Sequence, residues 1–230
     1  VAPVKKATTY KGAEEEKVGK IKPLLPKTKN QEEYIKALAK YQQVISIGSS
    51  GTGKTYIAAT TACNLYLKGV VKKIILTRPN VGVGPKSGYL PGTLEEKYDP
   101  VFAPIADLLK EQLTANKFAT DVKNGNIVLR PLEYMRGTTL EDAFVILDEA
   151  QNTTIAEMKM FNTRIGENVT IVMNGDIKQS DIKEQSGLSN AIRLASKYDI
   201  DLKIIEFTPD DIIRSNLCKQ WVMAYDGENL

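Results

Sequence analysis

From Gln43 onward the chain alternates short apolar runs with longer helical stretches. Runs this short and this uniformly apolar read as strands buried on both faces, and their alternation with helical stretches is the mark of a parallel sheet built by crossovers. Six strands are predicted, over 44–47, 74–77, 127–129, 144–147, 169–173 and 202–207. Helices are predicted over 54–67, 93–112 with a kink near Pro100 and Pro104, 154–163, 187–197 and 210–225. Ahead of them, Asn30 offers an N-cap, Glu32 and Glu33 an acidic first turn, and Tyr34, Ile35, Leu38 and Tyr41 an apolar stripe, so a short helix is expected over 30–39. Residues up to about 26 mix Lys, Glu, Pro and Gly without a period. The expected division is therefore a tail or linker over 1–29 and one α/β domain over 30–230.

Chemistry enters between the first strand and the helix after it. Gly48-Ser49-Ser50-Gly51-Thr52-Gly53-Lys54-Thr55 is a complete Walker A loop in the strand-loop-helix setting that the motif requires. The glycines let the backbone wrap a phosphate with its amides turned inward, Lys54 reaches the β and γ oxygens, and Thr55 is a ligand for Mg²⁺. ATP or GTP is the expected ligand, and a mere Gly-rich turn is the alternative. The run Ala143 to Leu147 ends in Asp148-Glu149, as a Walker B strand does. Asp148 would hold Mg²⁺ directly or through its water shell, and Glu149 would orient and deprotonate the water that attacks the γ-phosphate. Taken alone, two acids after an apolar strand fit a helix start equally well. Paired with the Walker A loop, the catalytic reading prevails. The run over 169–173 leads into Asn174-Gly175-Asp176-Ile177-Lys178-Gln179, where the neutral amide of Gln179 can sense the γ-phosphate or the water, or simply face solvent from a Gly-Asp turn.

Composition narrows the choices. The sequence has 230 residues, 42% of them hydrophobic, and no apolar run near the length of a membrane span. No charged-then-apolar leader stands ahead of the core, and Cys63 and Cys218 suit a reducing compartment, so the cytoplasm is the expected location. There is no histidine, which removes every His-dependent triad, ligand set and acid/base scheme. The net charge of +3 is uneven: the first 40 residues carry ten Lys against five Glu. Such a lead-in can track an RNA or DNA backbone, or be a solvated tail.

Several blocks, in order, resemble those of the PhoH family: Ile75 to Pro79, Gly88-Tyr89-Leu90-Pro91-Gly92, Tyr134 to Leu140, Ile146 to Thr154, Met158 to Gly166 and Asn174-Gly175-Asp176. These are phosphate-starvation-inducible ATPases related to superfamily 1 helicases, and the resemblance runs from about Asn30 to Tyr225. It implies a single RecA-like P-loop NTPase domain with a mainly parallel sheet flanked by helices and a short N-terminal extension, using ATP and Mg²⁺. It also implies roles for further residues. Gln31 resembles a helicase Q motif, whose amide would pair with adenine and favour ATP over GTP. Arg78 would lie near the phosphates or the nucleic-acid path. Arg214 is the arginine-finger candidate, with Arg164 behind it. Each Arg alone is equally well read as a surface ion pair. Ala150 stands where some relatives carry Ser, a chemically minor change. The segment before residue 30 is expected to hold neither a nuclease module nor a KH-like extension, so activities resting on those are not expected.

The leading reading is a helicase-like ATPase coupled to RNA or single-stranded DNA. A nucleotide-dependent assembly switch with slow turnover and a small-molecule P-loop kinase are the alternatives. Because one RecA-like domain leaves its ATP face open, a head-to-tail ring, a hexamer, is expected, with Arg214 or Arg164 reaching a neighbour's nucleotide.

Overall fold

The six apolar runs form one sheet, described here from a computed structural model that covers residues 19–80, 94–182 and 185–228. Its strands are β1 (Gln43–Ile47), β2 (Lys73–Arg78), β3 (Ile127–Pro131), β4 (Ala143–Leu147), β5 (Thr170–Gly175) and β6 (Lys203–Glu206). They lie in the order β3-β2-β4-β5-β1-β6, and every pairing is parallel. Alternate side chains pack into two separate cores because successive residues of a strand face opposite sides of the sheet. Val44, Ile74, Leu76, Phe144, Ile146 and Val172 join one core, and Ile45, Ile75, Val145, Leu147, Ile171 and Met173 the other. The first core is closed by helices α1 (Lys29–Lys40), α2 (Lys54–Leu67), α3 (Leu94–Leu113) and α4 (Ala115–Lys123), the second by α5 (Ile155–Asn162) and α6 (Gly187–Lys197). A last helix, α7 (Asn216–Glu228), follows β6. This is the expected RecA-like α/β architecture, with β5 between the phosphate-loop strand β1 and the acid-tipped strand β4.

Where the elements differ from expectation, local chemistry explains it. The cap of α1 is Thr28, whose Oγ1 accepts from the Gln31 amide at 3.2 Å, so the helix begins just before Asn30. The helix α3 runs as one element through Pro100 and Pro104, and the predicted Thr93 start lies outside the described residues. The predicted pattern ends at Gln112, but a second helix, α4, starts after Thr114, a non-glycine residue at φ +71° that no composition signal marks. Near the end, Thr208 and Asp211 form a capping box with Pro209 at the first position. These start signals serve only the short 3₁₀ turn Pro209–Asp211, and α7 begins at Asn216 rather than near 210.

Residues from Gly19 onward pack on the domain, although their lack of a period placed them in the tail. The Lys20 amide donates to the Gln112 carbonyl at 3.0 Å. Asn64 exchanges two hydrogen bonds with the Lys22 backbone, at 3.0 and 2.7 Å. The block Gly88-Tyr89-Leu90-Pro91-Gly92 and the lysines ahead of Gly19 lie outside the described residues. Among the described residues no helix is long and apolar enough to cross a membrane.

Candidate active site

In a parallel sheet all the carboxyl ends of the strands gather at one edge, which is where open α/β sheets bind ligands. Here that edge carries the loops after β1, β4 and β5, and they line a pocket of about 450 Å³. The phosphate loop supplies Gly48, Ser50, Gly51, Gly53, Lys54 and Thr55 to its wall, with Ser49 and Thr52 buried behind. Two of its glycines are required by geometry. Gly48 has φ +135° and a Cβ there would meet the Phe207 carbonyl; Gly51 has φ +85° and a Cβ there would come 2.9 Å from Cδ of Arg214.

Lys54, at the start of α2, donates to the carbonyls of Gly48 at 2.5 Å and Ser49 at 2.8 Å and to Thr52 Oγ1 at 3.2 Å. Burial lowers its pKa, and the negative charges of Asp176, Asp148 and Glu149 oppose that shift. An ammonium held this way can exchange loop carbonyls for phosphate oxygens without leaving its place.

The Thr55 hydroxyl donates to Oδ1 of Asp148 at 3.1 Å. The other carboxylate oxygen, Oδ2, accepts from Nε of Arg78 at 3.0 Å and from its Nη2, while Nη1 of Arg78 donates to the Val101 carbonyl at 2.6 Å. Arg78 thus fixes the orientation of the Asp148 carboxylate from behind. The donor set fits magnesium. Neighbouring ligands of an octahedral ion with bonds of ~2.1 Å lie roughly 3 Å apart, the separation seen between the Thr55 and Asp148 oxygens.

Glu149 stands next to Asp148 and lines the same pocket. It is exposed to the pocket and adopts a left-handed backbone, φ +54° and ψ +37°, a conformation that costs a non-glycine residue of order 1 kcal/mol. Gln151, which the sequence reading passed over, steadies it. The Gln151 Nε2 donates to Oε2 of Glu149 at 2.8 Å, and its Oε1 accepts from the Asp176 amide at 3.1 Å. One buried amide therefore ties the loop after β4 to the loop after β5. Gln179 is exposed and lines the same pocket, its own amide N–H bonded to the Asp176 carbonyl at 3.0 Å.

The remaining candidates separate. Gln31 is 3% exposed; its Nε2 donates to the Thr52 carbonyl at 3.0 Å and its Oε1 accepts from the Lys27 amide at 2.8 Å. Its amide braces the back of the phosphate loop, with one N–H and one lone pair of the amide left uncommitted by these two bonds. Arg214 belongs to no helix. It sits in the segment between the 3₁₀ turn and α7, lines the pocket of its own chain and lies over Gly51, whose carbonyl accepts from the Ile213 amide at 3.1 Å. Its side chain thus lies at the nucleotide pocket of its own chain. Arg164 lies at the opposite edge: its carbonyl accepts from the Leu140 amide, ahead of the first residue of β4.

The PhoH-like protein family model matches residues 23–226. The chain is 44% identical over 215 residues to the PhoH-like protein of Bacillus subtilis (strain 168), covering 93% of this chain and 67% of that protein. The chain belongs to the PhoH family. A PhoH-like protein of Mycobacterium tuberculosis (strain ATCC 25618 / H37Rv) is 43% identical over 89% of this chain and 58% of its own length. Protein PhoH of Escherichia coli (strain K12) is 41% identical over 88% of this chain and likewise 58% of its own length. The chain thus spans well under two thirds of these last two PhoH proteins. Among solved structures, the Pif1 helicase from Candida albicans is a distant likeness, with a TM-score of 0.48 and 16% identity over 90% of this chain and 44% of that one. Family and site together make this PhoH chain a P-loop NTPase.

Proposed function

We propose that the chain binds ATP with Mg²⁺ and hydrolyses it. The observation that carries this reading is the paired placement at the end of β4: Asp148 bonded to Thr55 of the phosphate loop, and Glu149 turned into the pocket beside it. Thr55 and Asp148 would hold Mg²⁺, which when bound neutralises charge developing on the phosphate oxygens. Lys54 and the loop amides hold the β- and γ-phosphates. Glu149 accepts a proton from the water that attacks the γ-phosphorus, Gln151 keeps its carboxylate in place, and Gln179 lies on the same wall to orient the water. A switch that never turned over would have no use for an acid strained into this position. With γ-labelled ATP, the label is expected in free phosphate; label carried to another acceptor would make the chain a transferase.

We extend the proposal to coupling with RNA or single-stranded DNA in the cytoplasm. The support is the excess of lysine in the first 40 residues, among them Lys5, Lys6, Lys11, Lys17 and Lys20. Each phosphate contact adds to the salt dependence of binding by counterion release. Removing residues 1–18, which leaves the packed strap from Gly19 intact, is expected to flatten the slope of affinity for poly(U) or oligo(dT) against salt. An unchanged slope returns the segment to a solvated tail.

Specificity for adenine is the other open part. If the remaining N–H and lone pair of the Gln31 amide meet the base, Gln31→Ala lowers the preference for ATP over GTP, measured by competition. If bracing the loop is its whole role, the same variant weakens both nucleotides equally.

A further inference from the structure

Directly behind the phosphate loop, one amide is held by three elements. Asn174, near the end of β5 and opposite Ser46 in the register with β1, is 1% exposed. Its Oδ1 accepts from the Ser46 hydroxyl at 2.6 Å and from the Tyr34 hydroxyl at 2.9 Å, the latter reaching over from α1. Tyr34 is itself fully buried, set edge-on to Phe207 with ring centroids 5.7 Å apart, and burial raises its pKa far above the ordinary phenol value. It therefore stays a donor at every working pH. With Oδ1 saturated by two hydroxyls, the plane of the amide is fixed and its Nδ2 has nowhere else to turn.

That Nδ2 is buried without a hydrogen-bond partner, and Asn174 lines the nucleotide pocket together with Lys54, Asp148 and Glu149. A buried donor with both N–H groups unpaired is costly, and a fold that locks it in this state at a ligand site marks a place where the ligand completes the bond. The position agrees: β5 lies between the strand that carries the phosphate loop and the strand that carries the two acids.

We propose that Asn174 reads the terminal phosphate, donating an Nδ2 hydrogen to a γ-phosphoryl oxygen, with Tyr34 and Ser46 as the positioning residues that aim it. The inference rests on the ATPase reading above and adds a discriminator between nucleoside triphosphate and diphosphate. It differs from the role given to Gln179, whose side chain is exposed, because Asn174 is dry, immobilised and directed by two independent elements. Tyr34 extends the consequence to α1, since the helix that braces the phosphate loop through Gln31 also aims the amide.

The test is binding, not turnover. Titration calorimetry on the full chain with Mg²⁺ would compare ADP with the β,γ-imido analogue of ATP. Asn174→Ala removes the N–H donor without placing a new carboxylate beside the phosphates. It is expected to lose about ten- to hundredfold in affinity for the triphosphate analogue, the worth of one hydrogen bond to a charged group, and clearly less for ADP. Tyr34→Phe and Ser46→Ala leave the amide in place but unaim it, and are expected to lower the same ratio by a smaller factor. Equal losses for both nucleotides, or no change for either, would overturn the assignment to Asn174 while leaving the nucleotide site standing. Failure of the unaltered chain to bind either nucleotide would instead remove the ATPase reading on which it rests. Should Asn174→Ala fail to fold, the ratio measured for Ser46→Ala decides the matter alone.

Discussion

Arg214→Ala is expected to slow ATP hydrolysis by about three orders of magnitude or more, with nucleotide affinity reduced far less, because a cation beside the transferring phosphoryl acts mainly on charge that develops in the transition state. The proposed role fits where the arginine lies within its own chain. Its side chain lies over Gly51 and lines the pocket, and the preceding Ile213 amide pins the segment to the Gly51 carbonyl at 3.1 Å. The segment is anchored on its other side by Asp211. Burial pushes that carboxyl's pKa up, but hydrogen bonds from Thr28, Asn30 and Thr208 outweigh it and hold the group below the usual carboxylate range, so it remains charged. An arginine supplied in cis makes a clear statement about mixtures. Combining Lys54→Ala with Arg214→Ala subunits is expected to restore no phosphate release, since neither chain holds a complete site. Recovery of activity on mixing would show the finger crossing to a neighbour, as a ring would need. Native mass measured on the same samples separates assembly from catalysis: a ring that forms without rescue would leave Arg164, on the opposite edge, as the residue able to face the next subunit.

Glu149→Gln is expected to retain ATP and to hydrolyse it about 10²–10⁴-fold more slowly, the range lost when a positioned general base is removed. The substitution is close to isosteric, and the new amide oxygen can still accept from Gln151 Nε2, so the loop after β4 keeps its anchor. What disappears is the capacity to take a proton. Filter binding with labelled ATP measures retention, and phosphate release measures the rate. A variant that turned over at the rate of the unaltered chain would exclude Glu149 as the base and direct attention to Asp176, whose Oδ2 is buried in the same pocket without a hydrogen-bond partner.

Much of this was legible before any coordinates. The four inner strands were legible because strands buried on both faces are almost wholly apolar, the edge strands β3 and β6 by their shorter apolar cores, and two of the motifs sit at strand ends where the first polar residues must fall. The helix α4 was not, since the break at Thr114 depends on a backbone conformation that its residue type rarely adopts. The start of α7 was misplaced because a capping box and a proline mark a helical turn without stating how many turns follow. That Arg214 lies over Gly51 of its own phosphate loop is not legible in the sequence, because it depends on the segment after the 3₁₀ turn folding back across that loop. The supporting shell was the least visible part. Tyr34 and Asn174 are 140 positions apart, Ser46 and Asn174 are 128 apart, and they meet only because β1 and β5 are neighbours in the sheet. Gln151 gave a signal, a Gln two residues beyond the acidic pair, but its task depends on the loop after β5 passing overhead.

The strand order has one further effect. Adjacent strands are ~4.8 Å apart, so placing β5 between β1 and β4 sets the phosphate loop and the acidic pair about 10 Å from one another at their roots. The sheet acts as a ruler. Side chains as short as Thr55 and Asp148 meet across that gap at 3.1 Å, while Glu149, the next residue, lines the same pocket from a left-handed backbone. A one-strand spacing would leave no room for both. On this account the tolerance of the site is set by the backbone ladder of β5, and substitutions that loosen β5 would blur the distance between binding and cleavage without touching any residue that meets the nucleotide.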